Sequence, residues 1–242
     1  MYPKINIGIL FLVILLFVGC EPSVKDGLSY DEYVKLVRSY SNEGDYDRAI
    51  AAGKKAVRIQ PTDGDAHYLL AMTYRAAYDK SFDDAQRKRI ATIIENPRKQ
   101  YNNEDWVEEY KKYGLRPELN TLATQEFEET VRYSPSSWFA HYMIATNNFT
   151  NKRFRDAIDG YKKVIALNPK YVNSYSLMGE AYSGLGEYSQ AIQYLQAAVK
   201  MDPKGTYTLL RLGRVYKKME DWGKAAEIKK KLIDMKASYG DL

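Results

Sequence analysis

Residues 172–205 read VNSYSLMGEAYSGLGEYSQAIQYLQAAVKMDPKG, and this stretch decides the fold. Apolar and small residues recur in each half at the steps that place them on one stripe of a helix. Gly184 and Gly186 separate the two halves, and Pro203 ends the second, because proline cannot continue a helix. The stretch therefore predicts two helices joined by a tight turn, in a unit of about 34 residues. The two stripes are Tyr175, Met178, Gly179 and Tyr182, then Tyr188, Ala191, Leu195 and Ala198.

The same unit recurs along the chain, because prolines and alanines return at nearly fixed intervals. Successive prolines of the series are 36, 38, 34 and 34 residues apart, and an alanine stands twelve residues before each one. A fixed period near 34 residues predicts a stack of similar units, each too small to fold alone. The prolines are Pro61, Pro97, Pro135, Pro169 and Pro203, and the alanines are Ala49, Ala85, Ala123, Ala157 and Ala191.

Six units are predicted after residue 29, and two of them depart from the pattern. Unit two has two extra residues between its helices, around Asp79 and Lys80. Unit three keeps a second helix from Pro117 to Tyr133, but residues 98–116 match the pattern poorly. They form either a distorted first helix, which we favour, or an inserted element. The units span about 30–63, 64–97, 98–137, 138–171, 172–205 and 206–239.

The unit at 172–205 closely resembles the tetratricopeptide repeat (TPR). The resemblance implies an all-α fold, a superhelical solenoid of antiparallel helix pairs with about six repeats, one of them irregular. It also implies that small residues such as Gly179 and Ala191 let paired helices approach closely. In such solenoids the first helices line the concave face, where protein partners bind.

The N-terminus carries a short apolar run before the only cysteine of the chain. Residues 7–18 are apolar, and a run of 12 is shorter than the ~20 residues of a membrane-spanning helix. The run ends in Phe-Val-Gly-Cys, which resembles the lipobox of bacterial lipoproteins. The resemblance implies a signal peptide at 1–19, cleavage between Gly19 and Cys20, and lipid chains such as palmitate on Cys20. The alternatives are an uncleaved anchor helix, or a leader for which Cys20 is a bystander.

A lipidated Cys20 would place the folded part at a membrane of the bacterial cell envelope. Two or three acyl chains anchor a protein stably, whereas one does so only marginally. Residues 20–29 would form the linker, and the nine residues after the cysteine reach about 30 Å when extended. Glu21 stands where an aspartate favours the inner membrane of enterobacteria, so the periplasmic face of the outer membrane is favoured.

Composition and motifs predict no enzyme, no cofactor and no metal site. The net charge of +5 is spread over many acids and bases, which does not suggest binding to nucleic acid. His67 and His141 occupy the repeat position at which Tyr175 stands, and this shared position indicates packing. The sequence contains no histidine–cysteine cluster and no recognisable nucleophile–base motif.

A binding surface is expected on the first helices, on the stripe beside the packing stripe. In unit four this stripe is aromatic, and a contiguous exposed apolar patch usually marks an interaction site. Alternatively, these rings pack against each other or against unit three. Basic residues in unit six would meet acidic groups of a partner. The predicted groove comprises Tyr68, Met72, Phe139, Tyr142, Phe149, Glu180, Tyr207, Arg214 and Lys217.

The leading hypothesis is a lipid-anchored scaffold that binds other proteins and assists the assembly of an envelope complex. Its size and repeat number resemble the pilotins, six-repeat lipoproteins that help type IV pilus secretins assemble in the outer membrane. Three alternatives stay open. They are a lipoprotein of the outer-membrane-protein assembly machine, an adaptor for peptidoglycan hydrolases, and a soluble periplasmic or cytosolic adaptor or co-chaperone.

Overall fold

The computed structural model describes residues 22–95, 110–111 and 114–236, and every regular element within them is an α-helix. This confirms the predicted all-α class. The chain forms two compact units, residues 1–123 and 124–242, and the boundary lies within the helix Glu118–Tyr133. The helices are α1 (Tyr30–Glu43), α2 (Tyr46–Ile59), α3 (Gly64–Glu95), α4 (Glu118–Tyr133), α5 (Trp138–Thr150), α6 (Phe154–Leu167), α7 (Val172–Gly184), α8 (Tyr188–Met201), α9 (Thr206–Lys218) and α10 (Trp222–Asp234).

Four helix pairs share one turn geometry between their first and second helices. These pairs are α1–α2, α5–α6, α7–α8 and α9–α10, and two or three residues connect the helices of each. In every turn the residue two places before the second helix has a positive φ, which ends the first helix in the left-handed conformation. Its identity varies, since Gly44 and Gly186 occupy the position in two turns and Lys152 and Glu220 in the others, with φ between 59° and 78°.

The proline series marks the other turn, from the second helix of one pair to the helix that follows. Pro61, Pro135, Pro169 and Pro203 each lie two residues after a helix end, and the next helix begins three residues later. Proline suits this place because its ring cannot continue the preceding helix. Pro97 lies outside the described residues.

A side-chain hydrogen bond supports three of these proline turns. His67 Nε2 donates to the carbonyl of Pro61 at 3.1 Å, and His141 Nε2 donates to that of Pro135 at 3.0 Å. Tyr175 Oη donates to the carbonyl of Pro169 at 3.1 Å. The two histidines and the tyrosine therefore hold equivalent turns together, in agreement with the structural role that their shared repeat position indicated.

The interruption predicted in unit two is absent, because α3 continues without a break from Gly64 to Glu95. The sequence from 76 to 89 contains neither glycine nor proline, so nothing ends the helix there. Two ion pairs at i,i+4 spacing also span the expected break: Arg75 Nε lies 3.0 Å from Asp79 Oδ1, and Lys80 Nζ lies 3.2 Å from Asp84 Oδ1. The prediction of two extra residues between two helices was wrong.

The second helix predicted for unit three is present as α4. The choice between a distorted helix and an insertion stays open, because most of residues 98–116 lie outside the described residues. Of the segment before α4, Tyr110 stacks on Phe82 of α3 with ring centroids 5.5 Å apart. The amide of Arg116 donates to Ser81 Oγ at 3.2 Å. This segment therefore packs along the part of α3 that lies beyond the expected break, within the compact unit of residues 1–123.

Residues 22–29 are docked on the first helix pair, contrary to the expectation of an extended polar linker. Val24 is buried in the core cluster that contains Tyr33 and Val37 of α1. Lys55 Nζ of α2 donates to the carbonyl of Val24 at 2.6 Å and pairs with Asp26 Oδ1 at the same distance. This ammonium lowers the pKa of Asp26. One buried apolar side chain and these bonds account for the difference, because a polar composition alone gives no sign of them.

Residues 1–21 lie outside the described residues, and so do Gly19 and Cys20. The signal peptide, its cleavage and the lipid on Cys20 therefore stay predictions. Among the residues that the structure describes, no helix is both long enough and apolar enough to cross a membrane.

Close helix packing depends on small residues, among them the predicted Gly179 and Ala191. A Cβ added to Gly179 of α7 would lie 2.7 Å from Leu195 Cγ and 3.0 Å from the Ala191 carbonyl oxygen of α8. Likewise, a Cβ on Gly160 of α6 would lie 2.6 Å from the Cβ of Ala145 in α5. The five alanines of the series are at most 2% exposed. Alanine and glycine therefore set the distance between paired helices.

Gly179→Ala should destabilise the second unit by about 1–3 kcal/mol, because the added methyl group meets backbone that cannot move aside. The matched control is Gly223→Ala in α10, where the nearest atom to a new Cβ is Asp221 Oδ1 at 3.8 Å. The control should be neutral or stabilising by up to ~1 kcal/mol, since alanine favours helix more than glycine does. Urea denaturation of both variants measures the difference, and an equal effect of the two substitutions would contradict the packing account.

Candidate functional site

A cavity of about 210 Å³ opens among the first helices α5, α7 and α9 of the second unit. Each helix contributes residues from its C-terminal half, and Phe154 at the start of α6 completes the lining. The cavity therefore joins three successive repeats on their first-helix side, where the sequence predicted a groove. Its lining comprises Phe149, Phe154, Glu180, Ser183, Gly184, Arg211, Arg214, Val215 and Lys218.

The apolar part of the cavity is built by two phenylalanines. The rings of Phe149 and Phe154 lie with centroids 5.7 Å apart and planes inclined by 59°. Phe154 also lies against Gly184, because a Cβ at Gly184 would come within 2.7 Å of this ring. Both rings pack on the core cluster around Tyr161 and Met178, which fixes their positions.

The polar wall of the cavity is held by bonds between adjacent repeats. Arg211 Nε of α9 forms an ion pair with Glu180 Oε2 of α7. The Arg211 Nη1 group also donates to Ser176 Oγ at 3.2 Å, and the buried Ser176 hydroxyl accepts from Thr208 Oγ1 at 3.1 Å. Lys218 Nζ donates to Ser183 Oγ at 3.4 Å. The wall thus carries three basic groups and one carboxylate, counting Arg214.

Three of the nine predicted groove residues line this cavity: Phe149, Glu180 and Arg214. Lys217 does not line it, and Lys218 lies there instead. The stripe that faces the cavity is Arg211, Arg214 and Lys218, at helical steps of three and four, and the role of Lys217 in binding stays a prediction.

Sequence reasoning missed Arg211 and Lys218. Their equivalents one repeat earlier are Leu177 and Gly184, 34 residues before each. A charged residue therefore replaces an apolar or small one at two repeat positions of the last unit. Comparison of the repeats position by position would have found this signal.

The remaining aromatic residues predicted in unit four pack on their neighbours. Phe139 and Tyr142 have ring centroids 5.9 Å apart, and Tyr142 meets Tyr171 edge-on at 4.9 Å. Both are half-buried and lie outside the cavity lining. The structure thus shows the packed arrangement for these two rings. Tyr207, in contrast, is 76% exposed on the first turn of α9.

Tyr68 and Met72 belong to α3 in the first unit. Both are half-buried, and burial raises the pKa of Tyr68. The first unit has two further cavities, of about 500 and 320 Å³. The walls of both carry acids and bases in near balance, and Arg116, which lines both, is paired with Asp47 at 2.6 Å. The smaller cavity of the second unit is the better candidate because its charge is unbalanced and two phenylalanine rings form its apolar part.

Within the described part of the chain no group of three or more histidine, cysteine or acidic residues could hold a metal ion. His67 and His141 already donate to proline carbonyls.

The repeat geometry is that of tetratricopeptide-repeat solenoids, and the chain carries tetratricopeptide repeats. Two models of the tetratricopeptide repeat match it, at residues 33–63 and 148–205. Solved structures share the fold. MamA from Desulfovibrio magneticus RS-1 has a TM-score of 0.64 at 18% identity, over 88% of this chain and 97% of that one. YrrB, "a TPR protein with an unusual peptide-binding site", has a TM-score of 0.61 at 17% identity, over 85% of this chain and 86% of that one.

Among relatives in sequence, the type IV pilus assembly protein PilF from Pseudomonas aeruginosa is similar over most of both proteins. It is 24% identical over 232 residues, which are 92% of this chain and 90% of PilF. Anaphase-promoting complex subunit 3 from Dictyostelium discoideum is 31% identical over 77 residues, 32% of this chain and 8% of that protein. The chain spans 8–20% of the length of the first curated relatives it matches.

Stability should fall at alkaline pH because of the buried tyrosines. Burial among the rings raises the pKa of Tyr142 to about 12, and Tyr171 adds to the shift. The folded state thus keeps this phenol protonated where the unfolded chain, with an ordinary value of about 10, has released the proton. The raised pKa of Tyr142 therefore contributes fully to the free energy of unfolding below about pH 10, and this contribution is lost as the pH rises towards 12.

Tyr142→Phe removes this ionisation, so its melting temperature should fall less steeply than that of the wild type between about pH 9.5 and 11.5. The exposed Tyr207→Phe is the matched control and should keep the wild-type slope. Parallel slopes for Tyr142→Phe and the wild type would show that this phenol ionises equally easily in the folded and unfolded chains.

Proposed function

We propose that this chain is a lipid-anchored scaffold of the bacterial cell envelope that binds other proteins and assists assembly of an envelope complex, in the manner of a pilotin. The observation that carries the proposal is the similarity to PilF, a protein named for type IV pilus assembly, over nine-tenths of both chains. The TPR fold supports the binding role, because stacked helix pairs present long surfaces to partners.

The proposed anchor is supported by the sequence around Cys20. The 12-residue apolar run, the lipobox-like ending and the position of the only cysteine together favour a lipoprotein. None of the described helices could cross a membrane. In this proposal, the lipid on Cys20 attaches the described residues to it.

The docked segment would keep the first unit close to the bilayer. Four residue steps separate Cys20 from the buried Val24, and they reach at most about 14 Å when extended. Because Lys55 and Tyr33 hold the carbonyls of Val24 and Lys25, little free linker would remain. A lipidated protein would thus present its first helix pair to the membrane surface.

The anchor is tested by Cys20→Ala in cells labelled with palmitate. The wild type should take up label and fractionate with membranes, whereas the variant should do neither, since the thioether cannot form without the cysteine thiol. Ser23→Ala, three residues further on, is the matched control and should behave as the wild type, because no lipid bond depends on its hydroxyl. An unlabelled wild type would contradict the lipid anchor. Membrane fractionation of Cys20→Ala would then favour an uncleaved anchor helix, whereas a soluble wild type would favour the soluble adaptor.

Partner binding is tested by a photo-crosslinking amino acid placed at Tyr207, which is exposed four residues before Arg211 on α9. The same amino acid at the exposed Lys163 of α6 is the control. A subunit of an envelope complex should be captured from Tyr207 in living cells and not from Lys163. A peptidoglycan hydrolase captured from Tyr207 would support the hydrolase adaptor instead, and capture of cytosolic chaperones would contradict an envelope role.

A further inference from the structure

We propose that the cavity of the second unit binds an acidic segment of a partner protein, one that carries an aromatic side chain next to its carboxylates. This inference rests on the proposed role in protein binding and adds the chemistry of the bound segment. Its basis is one juxtaposition: Arg211, Arg214 and Lys218 stand beside the rings of Phe149 and Phe154.

The charge of the cavity selects for anions. Among the described residues that line the cavity, three basic side chains face one carboxylate, that of Glu180, and this carboxylate is engaged by Arg211. Arg214 and Lys218 are both exposed at the cavity wall. A partner carboxylate would therefore meet an excess of positive charge, and complementary charge speeds encounter and excludes basic competitors.

Part of the site is fixed before a ligand arrives. The Arg211 guanidinium is held by Glu180 and by the buried hydroxyl of Ser176, on the neighbouring helix. Because its fork of N–H groups is already oriented, less side-chain freedom is lost when it meets an acid. Glu180 thus serves as a positioning residue for Arg211.

The size of the cavity favours a peptide side chain over a small molecule. Its volume of about 210 Å³ lies below the roughly 300–1,000 Å³ of typical small-molecule sites. The rings of Phe149 and Phe154 offer an incoming ring the edge or face contacts that aromatic pairs prefer. The occupant is thus a segment whose single aromatic side chain enters the cavity while adjacent carboxylates reach the basic wall.

The test uses fluorescence anisotropy with the full-length protein in detergent and the labelled peptide GSDDFEGS. It should bind with a dissociation constant on the order of 10–100 μM, the range of a short extended segment with few anchors. Replacement of its acids by lysine, or of its phenylalanine by alanine, should weaken binding at least tenfold. Raising salt from about 0.05 to 0.5 M should also weaken it, through screening of exposed charges.

Arg214→Glu with Lys218→Glu should weaken binding of GSDDFEGS more than tenfold and allow the lysine peptide GSKKFKGS to bind. Lys163→Glu with Lys200→Glu, two exposed lysines on α6 and α8, is the matched control with the same change in net charge and should bind within twofold of the wild type. Equal melting temperatures confirm that the variants are folded.

Two results would overturn the inference: no binding of GSDDFEGS to the wild type, or equal weakening by the cavity variant and the control. Either result, together with capture of an envelope protein from Tyr207, would reject this ligand chemistry and leave the proposed function standing. If Tyr207 also captures no envelope protein, both proposals fail.

Discussion

The close approach of paired helices at glycine and alanine is the constraint on which the rest of the structure depends. No side chain larger than a hydrogen atom fits at Gly160 or Gly179, and the alanines of the series are buried almost completely. Larger side chains pack around these close contacts, both within a pair, where the rings of Tyr182 and Tyr194 stack, and between successive pairs. There Leu195 of one pair packs with Leu212 and Val215 of the next. The cavity of the second unit also lies between successive pairs, because residues of three successive repeats line it.

The sequence predicted the regular parts of the fold well, because one period fixes both turns of a repeat. Proline ends the second helix and a left-handed residue ends the first, so helix ends in the second unit follow from spacing alone. The continuous helix α3 was not predicted, because its sequence lacks such turn residues. No residue between 76 and 89 forces a turn, and two local ion pairs favour helix.

The candidate site was predictable only in part. Phe149, Glu180 and Arg214 follow from the position of first helices in a solenoid, whereas Arg211 and Lys218 depend on the rotation of α9 about its axis. A helix turns by about 100° per residue, so an error of one position moves a side chain out of a narrow cavity. The docked residues 22–29 were missed because a single valine provides the buried contact and lysine provides the bonds. Neither residue type distinguishes a docked segment from a free one.

The hydrogen bonds at the proline turns have a consequence for how the repeats can vary. A histidine Nε2–H and a tyrosine O–H can each donate to a carbonyl oxygen. His67, His141 and Tyr175 therefore reach equivalent acceptors, the carbonyls of Pro61, Pro135 and Pro169, from one repeat position. Two side chains of different size and chemistry thus close equivalent turns, so this position can change between repeats while the geometry of the turn is kept.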